Sequence, residues 1–245
     1  MREALVLPTR RDEAYRYSDI AALEALWPIP VQEIRVAAGE QGALAVVLDG
    51  ANDAARDMAI VLEDGATFDL RLLNAGRAFG RIAVSVTLGR GAKFHLGAAQ
   101  VAGGDQVAEI VTEVTHAQPD AVSSQVVRTV LAGKATGTYL GRVAVARGAN
   151  GTDGEQSIRA MLLDRTATAN ARPELEIYAD DVKCAHGCAV GELDAQGLFY
   201  LQSRGLPPAE AKKLMLQAFI AEAFVGAADE DALTQAALTA LEAVL

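Results

Sequence analysis

Leu62-Glu-Asp-Gly65-Ala66-Thr-Phe68-Asp-Leu70 returns as Leu88-Gly-Arg-Gly91-Ala92-Lys-Phe94-His-Leu96, at an offset of 26 residues. Apolar residues, a Gly-Ala pair and an alternating Phe-x-Leu keep their places while the polar positions change. A second match, Gly80-Arg-Ile-Ala-Val84 with Gly141-Arg-Val-Ala-Val145, lies further along. A repeat of this length built from short strands marks a solenoid or a propeller. Glycine at the corners with Val, Leu and Ile between them suits stacked coils whose side chains form ladders. The low aromatic content and the lack of a blade signature argue against a propeller, so the repeat predicts a parallel β-helix.

Working outward from the repeat, the same pattern fills the chain from Val31 to about Val190. Short β-rich segments recur at Glu33–Val36, Ala43–Leu48, Met58–Leu62, Thr67–Leu72, Arg81–Leu88, Lys93–Leu96, Ala108–Thr115, Gln125–Leu131, Thr138–Val145 and Ser157–Leu162. Gly, Asn and Asp separate them. Gly97–Gly104 reads as a flexible turn, since no Lys-Ser/Thr follows to make a phosphate loop. His95 takes the place of Asp69 in the preceding repeat, an outward site. His116 reads as a turn residue making a local hydrogen bond. Before the repeats, Ser18 stands where it can cap a short helix, Asp19–Leu26, ended by Pro28 and Pro30. Tyr15 and Trp27 are expected to pack on the end of the core. After the repeats, Asp194 is placed to cap a helix over Ala195–Arg204 that Gly205 ends, and Pro207-Pro208 to open the next. That helix carries two apolar stripes, one with Ala211, Leu214, Met215, Ala218 and Phe219, the other with Leu216, Ile220, Ala223 and Phe224. Asp229 caps a last helix with a stripe from Leu233 to Val244. The pair reads as a helical hairpin covering the end of the core. It either leaves a groove for a partner or closes on its own chain.

The densest chemistry lies in Glu174–Asp194, ELEIYADDVKCAHGCAVGELD. Glu174–Ala179 alternates as a strand. If Val182–Val190 is extended too, Cys184, His186 and Cys188 share one face in steps of about 7 Å. Thiolate and imidazole are natural ligands for iron and iron–sulfur species. Three ligands on one strand cannot close a four-ligand site, so the rest would come from elsewhere. The bland alternative is that the cysteines are small buried hydrophobes and His186 an interface residue. Asp180 and Asp181, adjacent in sequence, point to opposite faces and cannot share a proton; a turn role or a partnership with Lys183 suits them.

Pro173–Asp194 followed by Leu198–Gly205, LFYLQSRG, resembles the hallmark of the SufB/SufD family of iron–sulfur cluster assembly proteins, on its SufD side. The entry LPTRRDEAYRYSD, from Leu7 to Asp19, resembles that group's opening signature, with Tyr15 where Trp is usual. Ala185 stands where the family has Ser, and Cys188-Ala189 where it has Ala-Thr, so no family role passes to Cys188. The resemblance implies a right-handed parallel β-helix. The expected organisation is a short N-terminal helical segment over residues 1–30, shorter than the family's usual helical region, a β-helix core over 31–192 and a C-terminal helical subdomain over 193–245. It implies a non-catalytic scaffold of the Suf machinery that pairs with SufB or with itself and docks the SufC ATPase through its terminal helices. It implies, too, that His186, and with it Cys184, acts on a transient cluster or iron at the interface with SufB, with no cofactor bound stably and ATP entering only through the partner.

Composition narrows the alternatives. A net charge of -10 argues against nucleic-acid and anionic-membrane partners. With neither a signal peptide nor a long uncharged apolar run, the sequence predicts a cytoplasmic protein. Two cysteines four residues apart on one strand do not bridge readily, which predicts free thiols. The chain lacks a Walker lysine motif and a nucleophile elbow. Two other readings compete with the scaffold. One is a metal-binding β-helix module using Cys184, His186 and Cys188. The other is a β-helix carbohydrate-active enzyme, disfavoured by the lack of a carboxylate cluster between Val31 and Gln125. Open β-helix edges invite pairing, so the isolated chain is expected to form a homodimer.

Overall fold

A computed structural model describes residues 6–50, 52–75 and 78–245. Twelve strands run through it: β1 (Val31–Val36), β2 (Gln41–Leu48), β3 (Ala54–Leu62), β4 (Thr67–Asn74), β5 (Phe79–Leu88), β6 (Lys93–Ala102), β7 (Val107–His116), β8 (Val122–Leu131), β9 (Thr136–Val145), β10 (Thr152–Leu162), β11 (Thr168–Ile177) and β12 (Val182–Gly191). Odd strands form one six-stranded sheet in the order β1-β3-β5-β7-β9-β11, and even strands form the other, β2 to β12. All pairs are parallel. Each coil is therefore one odd and one even strand, and the coils stack into the expected β-helix.

The opening repeat is the structural register. Leu62 pairs with Leu88 and Leu70 with Leu96. Gly65 and Gly91 make the corner between the two sheets, each with φ above +60°, where a side chain would be strained. Inward residues such as Ile60, Leu62, Phe68, Leu70, Val86, Leu88, Phe94 and Leu96 are at most 4% exposed and form the core. The second sequence match is not the register. Gly80 stacks on Ala108 and then on Gly137, so Gly80–Val84 lies over Gly137–Gly141. The match is displaced by four residues, and an even displacement keeps every side chain on its face.

Gly97–Ala102 is not a turn but the buried half of β6. Its outward residues Gly97, Ala99 and Val101 are small because the helical unit lies on them: a Cβ on Gly97 would come within 1.9 Å of the Ala223 carbonyl oxygen. The covering unit consists of α2 (Ala195–Ser203), α3 (Pro208–Ala221) and α4 (Glu230–Glu242). Asp194 caps α2 through Gln196 N and Gly197 N, and Pro208 opens α3. Asp229 sits at the start of α4 without a side-chain cap bond; the Glu230 carboxylate accepts from Gly226 N at 2.7 Å instead.

The unit covers the flank of the even sheet rather than the end of the core. Leu216, Ile220, Phe224, Leu233 and Leu241 pack on Leu73, Ala99, Val101 and Val130. Two arginines fix it there. Arg71 donates to the carbonyls of Ala223 and Val225 at 2.9 and 3.1 Å, a cation where helical carbonyls end. Arg128 donates to both Glu222 carboxylate oxygens at 2.6 and 2.7 Å, which holds that carboxyl below its usual pKa.

The N-terminal segment lies on the outer face of the odd sheet. Asp19, not Ser18, caps the short helix α1 (Ile20–Glu24). Ser18 is buried and donates to Glu109 at 2.5 Å, beside the fully buried Arg81–Glu109 ion pair. Arg81 also stacks over the Tyr15 ring, 4.2 Å from its centre. Tyr15 therefore packs on the flank, not the end. Among the described residues no helix is long and apolar enough to cross a membrane.

Candidate functional site

The last coil, β11 with β12, is the edge of both sheets. Among the described residues β12 pairs only with β10, stacking Cys184 on Gly154, His186 on Gln156 and Cys188 on Ile158. Gly154, Gln156 and Ile158 face the interior, so the three candidate ligands continue the inward face onto an open rim, as their alternation predicts. Val182 and Cys184 still pack against the core, while residues 185–191 are exposed. Both thiols are free. Asp180 and Asp181 lie in the turn between the two strands, where the Asp181 carbonyl accepts from Gly151 N at 2.7 Å.

The thiols are not activated. Burial raises the pKa of Cys184; the Gly154 backbone offsets part of that and nearby Asp153 adds to it. Burial alone raises Cys188, whose Sγ lies 3.8 Å from the Ala171 carbonyl. Both are protonated at neutral pH, so a soft metal must displace a proton to bind there. Among the described residues no three His, Cys, Asp or Glu side chains gather closely enough to hold a metal ion. Strand geometry explains this: same-face neighbours stand about 7 Å apart, whereas metal–ligand bonds are about 2 Å. A metal arriving here finds one or two ligands on this strand and takes the others from another source.

His186 also lines a cleft of about 760 Å³ with Glu13, Val111, Leu140, Arg142 and Arg172. Its two arginines each pair with two of its four carboxylates. Arg142 spans the sheet to Glu113 at 2.5 Å and Glu176 at 2.6 Å, and Arg172 bonds Glu13 and Glu174.

The other two histidines lie away from this rim. His95 pairs with Asp69 in the preceding coil at 2.9 Å, half-exposed on the outer face. His116 is fully buried at the end of β7 and bonds Ser123 across the turn at 2.8 Å; burial pushes its pKa down to about 4. Sequence reasoning missed a polar cluster inside the helix. The hydroxyls of Thr112 and Tyr139 meet at 2.9 Å, and both meet Gln125 Oε1 at 3.1 Å. The available signal was glutamine at Gln125 and Gln156, inward places that the repeat otherwise fills with apolar residues.

Residues 34–219 match the family model described as SUF system FeS cluster assembly, SufBD core domain. The iron-sulfur cluster assembly protein SufD of Escherichia coli is 30% identical over 171 residues, 70% of this chain and 40% of that protein. The chloroplastic protein ABCI7 of Arabidopsis thaliana is 31% identical over 162 residues, 65% of this chain and 34% of that one. SufD of Bacillus subtilis is 31% identical over 118 residues, 48% of this chain and 27% of that protein. The chain thus spans less than half the length of these relatives. With the family core covering the coils, the candidate rim, α2 and nearly all of α3, the chain belongs to the SufB/SufD family of iron–sulfur cluster assembly proteins and is SufD-like.

Proposed function

We propose that this chain is a non-catalytic scaffold in Suf-type iron–sulfur cluster assembly. The observation that carries the reading is the position of Cys184 and His186 on the last strand of an open-ended solenoid, with an incomplete ligand set. A partner that pairs with the rim of β11 and β12 brings further ligands to the same place. Unpaired strand edges favour such pairing, and SufB or a second copy of this chain is the natural occupant. Iron or a nascent cluster is then cargo held briefly between the two chains, with His186 the principal ligand from this side and Cys184 the second. The SufC-type ATPase docks on the helical unit, where Phe199, Tyr200 and Leu214 are 72, 55 and 47% exposed. Large exposed apolar groups of this kind mark interaction surfaces. ATP enters only through that partner.

The test uses the full chain with the SufC-type ATPase of the same organism. Light scattering should detect a complex with the unaltered chain, and the double variant Phe199→Ser, Leu214→Ser should weaken it at least tenfold without changing the melting temperature. An unaltered chain that binds no SufC-type ATPase overturns the scaffold reading.

A further inference from the structure

The last strand reads almost the same from either end. Val182-Lys-Cys184-Ala-His186-Gly-Cys188-Ala-Val190 is symmetric about His186 at every inward position, Val182 matching Val190 and Cys184 matching Cys188. On the other face, Ala185 matches Gly187 and Lys183 matches Ala189. Among the described residues, β12 presents this run at the unpaired edge of the even sheet, and Ala185 to Val190 are exposed. At the edge of the odd sheet, β11 carries Pro173 in mid-strand, a residue with no N–H to give to a further strand. No proline interrupts β12. The same end of the solenoid leaves Ile177, Tyr178 and Val190 at 41, 59 and 48% exposed, and clustered apolar groups of this kind mark an interaction surface.

A twofold contact needs a self-complementary surface, in which residue i meets j while j meets i. Two β12 strands paired antiparallel, with the axis at His186, meet this need along the whole of Val182–Val190. The inward side chains of both copies then lie on one side of the joined sheet. Val182 faces the partner's Val190, Cys184 faces the partner's Cys188, and His186 faces its own counterpart. Lys183 faces the partner's Ala189, so its charge does not meet its like. Moving the axis by one residue sets cysteine against histidine, and moving it by two sets a cysteine against its own counterpart. Facing residues in an antiparallel pair have Cα atoms about 4.5 or 5.5 Å apart, and both separations lie in the range a disulfide spans. Cys184 and Cys188 of one strand stand about 13 Å apart and cannot bridge each other.

We propose that two copies of this chain pair antiparallel through β12 about His186, and that oxidation locks the dimer with two disulfides, each from Cys184 to the partner's Cys188. The oxidant is a small disulfide such as oxidised glutathione. Each new bond joins two thiol sulfurs and breaks one sulfur–sulfur bond of the oxidant, whose halves leave as two thiols carrying the two protons and two electrons. The pairing takes up the rim already proposed as a partner surface, and it needs neither iron nor a SufC-type ATPase. Cys188, which stands where the family has Ala, gains a role of its own.

The full unaltered chain, free of metal and incubated with oxidised glutathione, should run as a covalent dimer on a non-reducing gel and return to monomer with dithiothreitol. Cys184→Ser and Cys188→Ser should each abolish the dimer band. An equal mixture of the two variants, combined before oxidation, should restore it at reduced yield, because each mixed pair keeps one facing Cys184 and Cys188. Cys188 is exposed, so the Cys188→Ser arm stands even if Cys184→Ser fails to fold. No covalent dimer from the unaltered chain overturns the pairing. So does a dimer that persists in either variant, which would place the axis elsewhere, or a mixture of folded variants that stays monomeric. A covalent dimer that binds no SufC-type ATPase would overturn the scaffold reading and leave the pairing intact.

Discussion

The middle coils and the last coil share one sequence pattern but not one environment. In β5 to β9 every inward side chain has a coil above and below it, and both flanks are covered. The N-terminal segment is fastened to the odd sheet through Arg81 and Glu109, and the helical unit to the even sheet through Arg71 and Arg128. In β12 the alternation continues, but the inward positions beyond Cys184 are exposed because no further strand stacks on them. An alternating pattern therefore specifies which face a residue occupies, and its neighbours decide whether that face is core or binding surface. The soft ligand candidates all stand where the pattern has run out of neighbours.

The sharpest way to test this contrast is to break one ion pair in each region. Arg81 is 2% and Glu109 0% exposed, so Glu109→Ala strands a buried guanidinium. The expected cost is about 3–5 kcal/mol, read from urea unfolding of the full chain. The pair that ties the middle coils to the last one, Arg142 with Glu176, is 38 and 46% exposed. Glu176→Ala should cost less than about 1 kcal/mol. Equal losses would mean that the rim is as closed as the middle.

Acid should act through the middle coils as well. His116 has its pKa lowered from 6.5 to about 4 by burial, partly opposed by the Ala121 backbone and by Asp153. The unfolded chain binds this proton more readily than the folded one. The stabilisation is fully present above pH 6.5 and is lost as pH falls toward 4. At about 1.4 kcal/mol per unit, the shift is worth roughly 3 kcal/mol. Stability measured between pH 7 and 4 should fall accordingly, and His116→Asn, which keeps a neutral polar group in place, should flatten that part of the profile. An unchanged slope in the variant would assign it to other groups.

The difference between the regions also governs what the sequence revealed. The repeat is legible because Gly65 and Gly91 need a left-handed backbone at the same corner of successive coils, and because Leu, Phe and Leu recur one register apart. The second match misled by four residues because alternation is indifferent to even shifts. Gly97–Ala102 was misread because small residues signal either looseness or close approach, and only the helix above them tells which. The same ambiguity put the helical unit on the end of the solenoid, when two apolar stripes on α3 say only that it has something to cover. Cys184, His186 and Cys188 fall on the face their spacing predicts, since a strand's period is fixed by its backbone. The Arg81–Glu109–Ser18 cluster was invisible, for its members come from sequence positions far apart and look like ordinary surface charges. Gln125 and Gln156 were visible only as exceptions to an apolar ladder.

The smallest expected effect is the most direct check of the open rim. Val190 occupies an inward position of β12, yet it is 48% exposed. Truncating a core aliphatic in the middle coils removes buried contacts on two sides, but Val190→Ala removes contacts that half face water. Surface substitutions of this kind change stability by under about 0.5 kcal/mol, and that is the expectation for the isolated monomer in urea unfolding. The same variant becomes informative when the chain pairs. If a partner seats on β12, Val190 becomes an interior residue of the joined structure, and its truncation should weaken association even though it leaves the monomer intact. Light scattering of the variant over a range of concentrations separates the two cases. A stability loss of several kcal/mol in the monomer would show that the rim is already closed by the chain's own residues, and the contrast between the two regions would fail there.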